Sequence, residues 1–119
     1  MSVETDFRAL LAGNASVTAL VGTRIALNAV PEDAALPLVV YAVSHDRTVG
    51  LDGTLLAEQC SVAVQCWADT ATAADAVADA VVAAIATAAA GQAAVLARST
   101  TFDPEMGLDG TELTVEWWG

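Results

Sequence analysis

Residues 36–67 read LPLVVYAVSHDRTVGLDGTLLAEQCSVAVQCW. Two apolar runs flank a polar segment that holds Gly50 and the dipeptide Asp52-Gly53, and in the second run Val62, Val64 and Cys66 alternate with Ala63, Gln65 and Trp67. Alternation at every second residue marks a strand, and Asp-Gly between two such runs is a hairpin signal. The stretch therefore predicts two central strands, Leu38–Ser44 and Leu56–Ala68, joined by an arm over Asp46–Thr54. In the first strand Val39, Tyr41 and Val43 share one face while Leu38, Val40 and Ala42 share the other. Apolar residues on both sides require cover on both, one side by a helix and the other by a further element or a second subunit. Nothing in the arm has a catalytic spacing.

Upstream of this hairpin, Ser2 is placed to cap a short helix, with Glu4 and Asp6 suiting its positive end and Phe7, Leu10 and Leu11 on one face. Gly13 ends that helix, a second short one runs from Ser16 to the cap at Gly22, and Arg24–Ala29 reads as a strand. Pro31–Pro37 is a connecting loop, since two prolines forbid regular pairing. Downstream, Asp69 or Thr70 caps a long helix from Ala71 to about Ala90, stopping at Gly91. Ala74, Val77, Ala78, Val81 and Ile85 form its apolar stripe; Asp75 and Asp79 fall on another face, with no cation at helical spacing, and are expected to point to water. Strands at Ala94–Phe102 and Thr111–Trp118 follow, joined by the turn 103–110. Trp117 and Trp118 are adjacent in the last strand and must project to opposite sides. One can enter the core beneath the helix, whereas the other needs separate cover, and interfaces favour tryptophan.

This order of elements predicts a single α+β domain over residues 1–119: a mostly antiparallel sheet of four to five strands packed against one long helix, with a short N-terminal helical segment and a protruding β-hairpin arm around 46–54. At 119 residues the chain has room for one core. Its 55% hydrophobic content overstates that core, because alanine supplies much of it and buries little area per residue. Extra burial between subunits is therefore expected to help.

Charge and chemistry narrow the function classes. Fifteen acidic residues oppose four arginines, Arg8, Arg24, Arg47 and Arg98, for a net charge of −11. Four scattered cations make no basic patch, so binding to a nucleic-acid backbone is not expected. Cys60 and Cys66, on one face of the second strand and roughly 20 Å apart at ~3.3 Å per residue, lie beyond disulfide reach and read as small buried hydrophobes in a reduced, cytoplasmic protein. Ser2–Asp6 is polar and acidic, so no export leader is expected, and the alanine-rich helix with its two aspartates is too polar for a membrane span. Asp103, Glu105, Asp109 and Glu112 gather at a turn without calcium-loop spacing. His45 has no partner at ligand spacing, no cysteine stands beside a base along the sequence, and no phosphate loop is present. No catalytic residue, metal or cofactor is expected. Arg24, beside Gly22, is the best candidate for a specifically placed cation, at a helix-to-strand junction, where it suits a local carboxylate or carbonyl contact or a salt bridge to a neighbouring subunit.

The set ALVGTRI at 19–25, LPLVVY at 36–41, LDG at 51–53, VAVQCWA at 62–68, the helix start at 74–78, FDPEMGL at 102–108 and the terminal LTVEWW resembles, in order and spacing, the tail-completion or tail-terminator family of long-tailed bacteriophages, similar to siphophage tail-to-head joining proteins. The resemblance implies a virion protein made in the host cytoplasm. It further implies six copies closing into a ring on the last ring of the tail tube, where they meet the tube protein and the head connector or stopper while DNA passes through the lumen without specific binding. On the same basis the arm, with Asp46, Arg47, Leu51 and Asp52, is expected to contact a neighbouring subunit or the tube. Trp67, Trp117 and Trp118 are expected to serve as core or interface anchors. Two other classes remain open on the residues alone. An acidic dimeric module that captures a basic protein would show no affinity for tail tubes, and a hydrolase would need an accessible, activated cysteine.

Overall fold

In a computed structural model, the chain orders as α1 (Val3–Ala12), α2 (Ala15–Val21), β1 (Ile25–Leu27), β2 (Leu38–Val49), β3 (Leu55–Ala68), α3 (Ala71–Ala88), β4 (Ala93–Asp103) and β5 (Leu108–Trp117). The structure describes residues 3–22, 24–28, 35–49, 51, 55–88, 93–105 and 107–117, with side chains for all of these except 46–49, 55–59 and 88. The α+β class is as the pattern predicts. The strands form one sheet in the order β1-β2-β3-β5-β4, antiparallel throughout except where β1 runs parallel to β2.

All three helices lie on one face of this sheet. Phe7 and Leu11 of α1, Val17 and Val21 of α2, and the stripe Ala74, Val77, Ala78, Val81 and Ile85 of α3 are buried against Val39, Tyr41, Val62, Val64, Cys66, Leu113, Val115 and Trp117. Each fully buried valine or leucine contributes about 1.5–3 kcal/mol. The alanines contribute less, but they let α3 lie close to the strands. Phe7 anchors the aromatic end of this core, with Tyr41 at 5.3 Å and Trp117 edge-on at 6.2 Å between ring centroids.

Caps follow simple chemistry. Thr70 Oγ1 accepts from Ala73 N at the start of α3, as expected. At α2 the cap is Asn14 rather than Ser16: its Oδ1 accepts from Ser16 N and Val17 N at 3.0 and 3.1 Å. Gly22, at φ +59, closes α2 with its N–H on Thr18 O, a conformation that a Cβ would strain.

Three expectations need correction. β2 does not stop at Ser44 but continues to Val49, paired residue by residue with β3, because His45–Val49 keeps extended backbone and a hydrogen-bonded partner despite its polar side chains. The turn after β4 is shorter than 103–110, since Asp103 already pairs with Leu108 and its Oδ1 holds Glu105 N while its carbonyl holds Gly107 N. Asp75 and Asp79 do have a cation beside them. Arg98 of β4 reaches across to Asp79 at 2.7 Å and Asp75 at 3.4 Å, and Thr111 Oγ1 donates to Asp75 at 2.9 Å. Helical spacing could not reveal this partner, which comes from the sheet edge below. Gly50, Asp52, Gly53, Gly91, Trp118 and the Pro31 end of the first loop lie outside the described residues.

The second face of the sheet has its own cover at one end. Leu38, Val40, Trp67 and Leu108 form a separate buried cluster there, with Ala26 and Leu36 packed against it. Among the described residues, no helix is long and apolar enough to cross a membrane.

Candidate functional site

The β2–β3 ladder is longer than the sheet that carries it. β5 ends its pairing with β3 at Cys60 opposite Trp117, and β1 ends its pairing with β2 at Tyr41. Beyond Cys60 the pairs Asp46–Gln59, Arg47–Glu58, Thr48–Ala57 and Val49–Leu55 continue as a two-stranded arm, with a register shift between Thr48 and Val49. Strand rise of ~3.3 Å per residue carries this arm more than 10 Å past the sheet. The molecule is accordingly elongated, 51 × 30 × 23 Å. Leu51, between the two strands, is fully exposed. The side chains of Asp46 and Arg47, and all of Asp52, lie outside what is described.

At the root of the arm three elements are fastened together. His45 on β2 sits opposite Cys60 on β3, with its Nδ1 3.2 Å from Cys60 Sγ and its Nε2 3.1 Å from Glu4 Oε1 on α1. Tyr41 Oη donates to the Glu4 carbonyl at 3.1 Å. No cysteine was expected to stand beside a base, and the contact of Cys60 with His45 overturns that expectation. The signal was present in the sequence: a turn at Asp52-Gly53 pairs residues equidistant from it, and His45 and Cys60 are equidistant. Thiol, imidazole and carboxylate in line is the order of an activated nucleophile. Here Cys60 is buried, and the chain of contacts ties the first turn of α1 to the root of the arm.

Cys66, deeper in β3, is different. Burial pushes its thiol up to about 12, against a weaker opposing pull from Arg98, so it stays protonated and inert. The Arg98 guanidinium is held above its ordinary range, first by its hydrogen bond to Asp79, and remains charged.

Arg24 makes carbonyl contacts. Its Nε donates to Pro37 O at 2.8 Å and its Nη2 to Leu20 O at 3.2 Å, joining the end of α2 to the start of β2. Arg8 of α1 likewise donates to the Ile25 carbonyl. Trp117 enters the helix-side core, and Trp67 is buried on the opposite face, where its Nε1–H has no acceptor among the described residues. The Trp67 ring lies over Gly110, where a Cβ would come within 2.7 Å of it.

The outer margin of the sheet is β4, eleven residues long, and side chains from Leu96 to Thr100 are exposed along it. Leu96 and Phe102 are 60% and 57% exposed, unusual for large apolar residues in so small a chain. The sequence pattern places a strand at Ala94–Phe102 without an order for the sheet, because only topology reveals which strand lies outermost. An arm, a long outer edge and helices confined to one face give the subunit surfaces suited to contact with other proteins.

Comparisons agree with that character. No curated protein matches the sequence. Among solved structures, a chain in a virion of a native gene transfer agent particle shares the fold, with a TM-score of 0.76 at 16% identity, covering 98% of this chain and 92% of that one. The tail completion protein gp17 family matches residues 5–119, so the chain belongs to that family and is a structural protein of the virion tail.

Proposed function

We propose that six copies of this chain close into a ring on the last ring of the tail tube, end its growth, and present the surface that the head connector meets. Family membership over residues 5–119 carries this reading. The subunit suits it physically. The chain acts as one folding unit, and the arm, with Asp46, Arg47, Leu51 and Asp52, is the element that reaches a neighbouring subunit or the tube. Contacts between two different surfaces, repeated around an axis, close into a ring when their rotation permits. Arg24, tied to Leu20 and Pro37, sets the angle between α2 and β2 at the margin of the interface. Trp67 and Trp117 act as core anchors beneath it, and Trp118 is the anchor that faces the partner. DNA crosses the lumen without specific contact, since a chain of −11 offers no clustered cations.

Adding the purified chain to tail tubes during their assembly tests the reading. Tubes of one length, each with a six-fold cap at one end in electron micrographs, are expected. Uncapped tubes that keep growing in a molar excess of the chain would refute it.

A further inference from the structure

We infer that the outer edge of β4 is the seat for the β2–β3 arm of a neighbouring copy, which extends the sheet through backbone hydrogen bonds; this rests on the ring reading above. The first support is the edge itself. A long regular edge is a template for another strand, and proteins that must stay apart blunt such edges with lysine, proline or inward charge. β4 has neither lysine nor proline; its one bulge, at Leu96, blunts the start of the strand and leaves Ala97–Asp103 as the regular edge. Its one cation, Arg98, is drawn back onto α3 by Asp79 and Asp75, so it does not guard the edge.

The second support is charge. Residues 93–102 contain no acid, in a chain with fifteen acids and a net charge of −11. A second copy, equally acidic, meets least repulsion here, whereas a basic partner would gain nothing from this stretch. Exposed Leu96 and Phe102 flank the edge and add apolar area at both ends.

The third support is the arm. A two-stranded hairpin alone is at best marginal in water and needs a third strand. Past Cys60 the arm has no such strand among the described residues. Seating it on β4 of the next copy meets both deficits with one contact between unlike surfaces, which can repeat around a ring. Two β4 edges pairing with each other would close a dimer and leave the arm uncovered.

The test mixes two variants that each add one cysteine, Thr48→Cys on the arm and Thr100→Cys on β4, with a short-reach bis-maleimide, free and on tail tubes, alongside native mass spectrometry. Covalent dimers are expected from the mixture and from neither variant alone, with the unsubstituted chain as control for Cys60 and Cys66. A companion variant, Leu96→Lys, is expected to lower association at least tenfold with an unchanged melting temperature. Cross-links from Thr100→Cys alone, or hexamers with no cross-link in the mixture, would overturn the edge assignment and leave the ring. Cross-linked mixtures that never reach six copies would keep the edge contact and refute the ring, and monomers in both settings would overturn both.

Discussion

Gly110 has no side chain because Trp67 occupies the space where one would go. A Cβ there would meet the indole at 2.7 and 2.8 Å and Thr101 Cγ2 at 2.9 Å, and the buried ring has no room to give way. Gly110→Ala is therefore expected to cost about 1–3 kcal/mol, the range for overpacking a filled site, measured by urea unfolding; a change under about 0.5 kcal/mol would mean that the cluster of Leu38, Val40, Trp67 and Leu108 is loosely packed. Cys66 supplies a prediction in pH. Its thiol ionises near 9.0 when unfolded and at about 12 when folded, so the folded state holds the proton more tightly. That contribution is whole below pH 9 and is lost as pH rises toward 12, because only the unfolded chain releases a proton in that window. Stability should fall by about 1.4 kcal/mol per pH unit there, and Cys66→Ala should flatten this slope, as read from urea midpoints at a series of alkaline pH values.

At the scale of elements, the arm separates assembly from folding. The helix-side core draws on α1, α2, α3 and the paired lengths of β2, β3 and β5, whereas the pairs beyond Cys60 lie past the last pairing of β5 with β3 among the described residues. Replacing residues 46–59 with a tight two-residue turn should leave the circular dichroism spectrum and a cooperative melt in place while abolishing ring formation and tail capping. Normal capping by the shortened chain would remove the arm from the interface. Most elements were legible in the sequence: the stripe of α3 from its helical spacing, β3 from its alternation, and a core place for one of two adjacent tryptophans, though only the structure shows that it is Trp117. What escaped was contact at a distance along the chain. Arg98 meets Asp75 and Asp79 only because β4 lies beside α3, and His45 meets Cys60 only once the hairpin register is set. The Arg98 contacts are largely exposed, so Arg98→Ala should change stability by no more than about 0.5–1 kcal/mol. Its larger effect is expected on association, since it frees the acids of α3 beside the edge.

For the whole molecule the governing quantity is charge. In the proposed ring, six copies at −11 each would bring −66 formal charges together, so assembly in free solution would work against strong mutual repulsion. Added salt shortens the reach of that repulsion from ~30 Å at 0.01 M to ~8 Å at 0.15 M, whereas buried apolar contacts and strand pairing are little screened. The hexamer fraction in native mass spectrometry and light scattering should therefore rise with salt. In the proposed ring the same acidity would suit a lumen, where like charge would let DNA slide without adhering. A hexamer that dissolves as salt is added would instead mean that ion pairs hold the copies together, which a chain with four arginines is poorly equipped to supply six times over. A dimer at every salt concentration would point away from a ring altogether, because a two-fold contact uses up the same surface on both copies and leaves nothing to propagate.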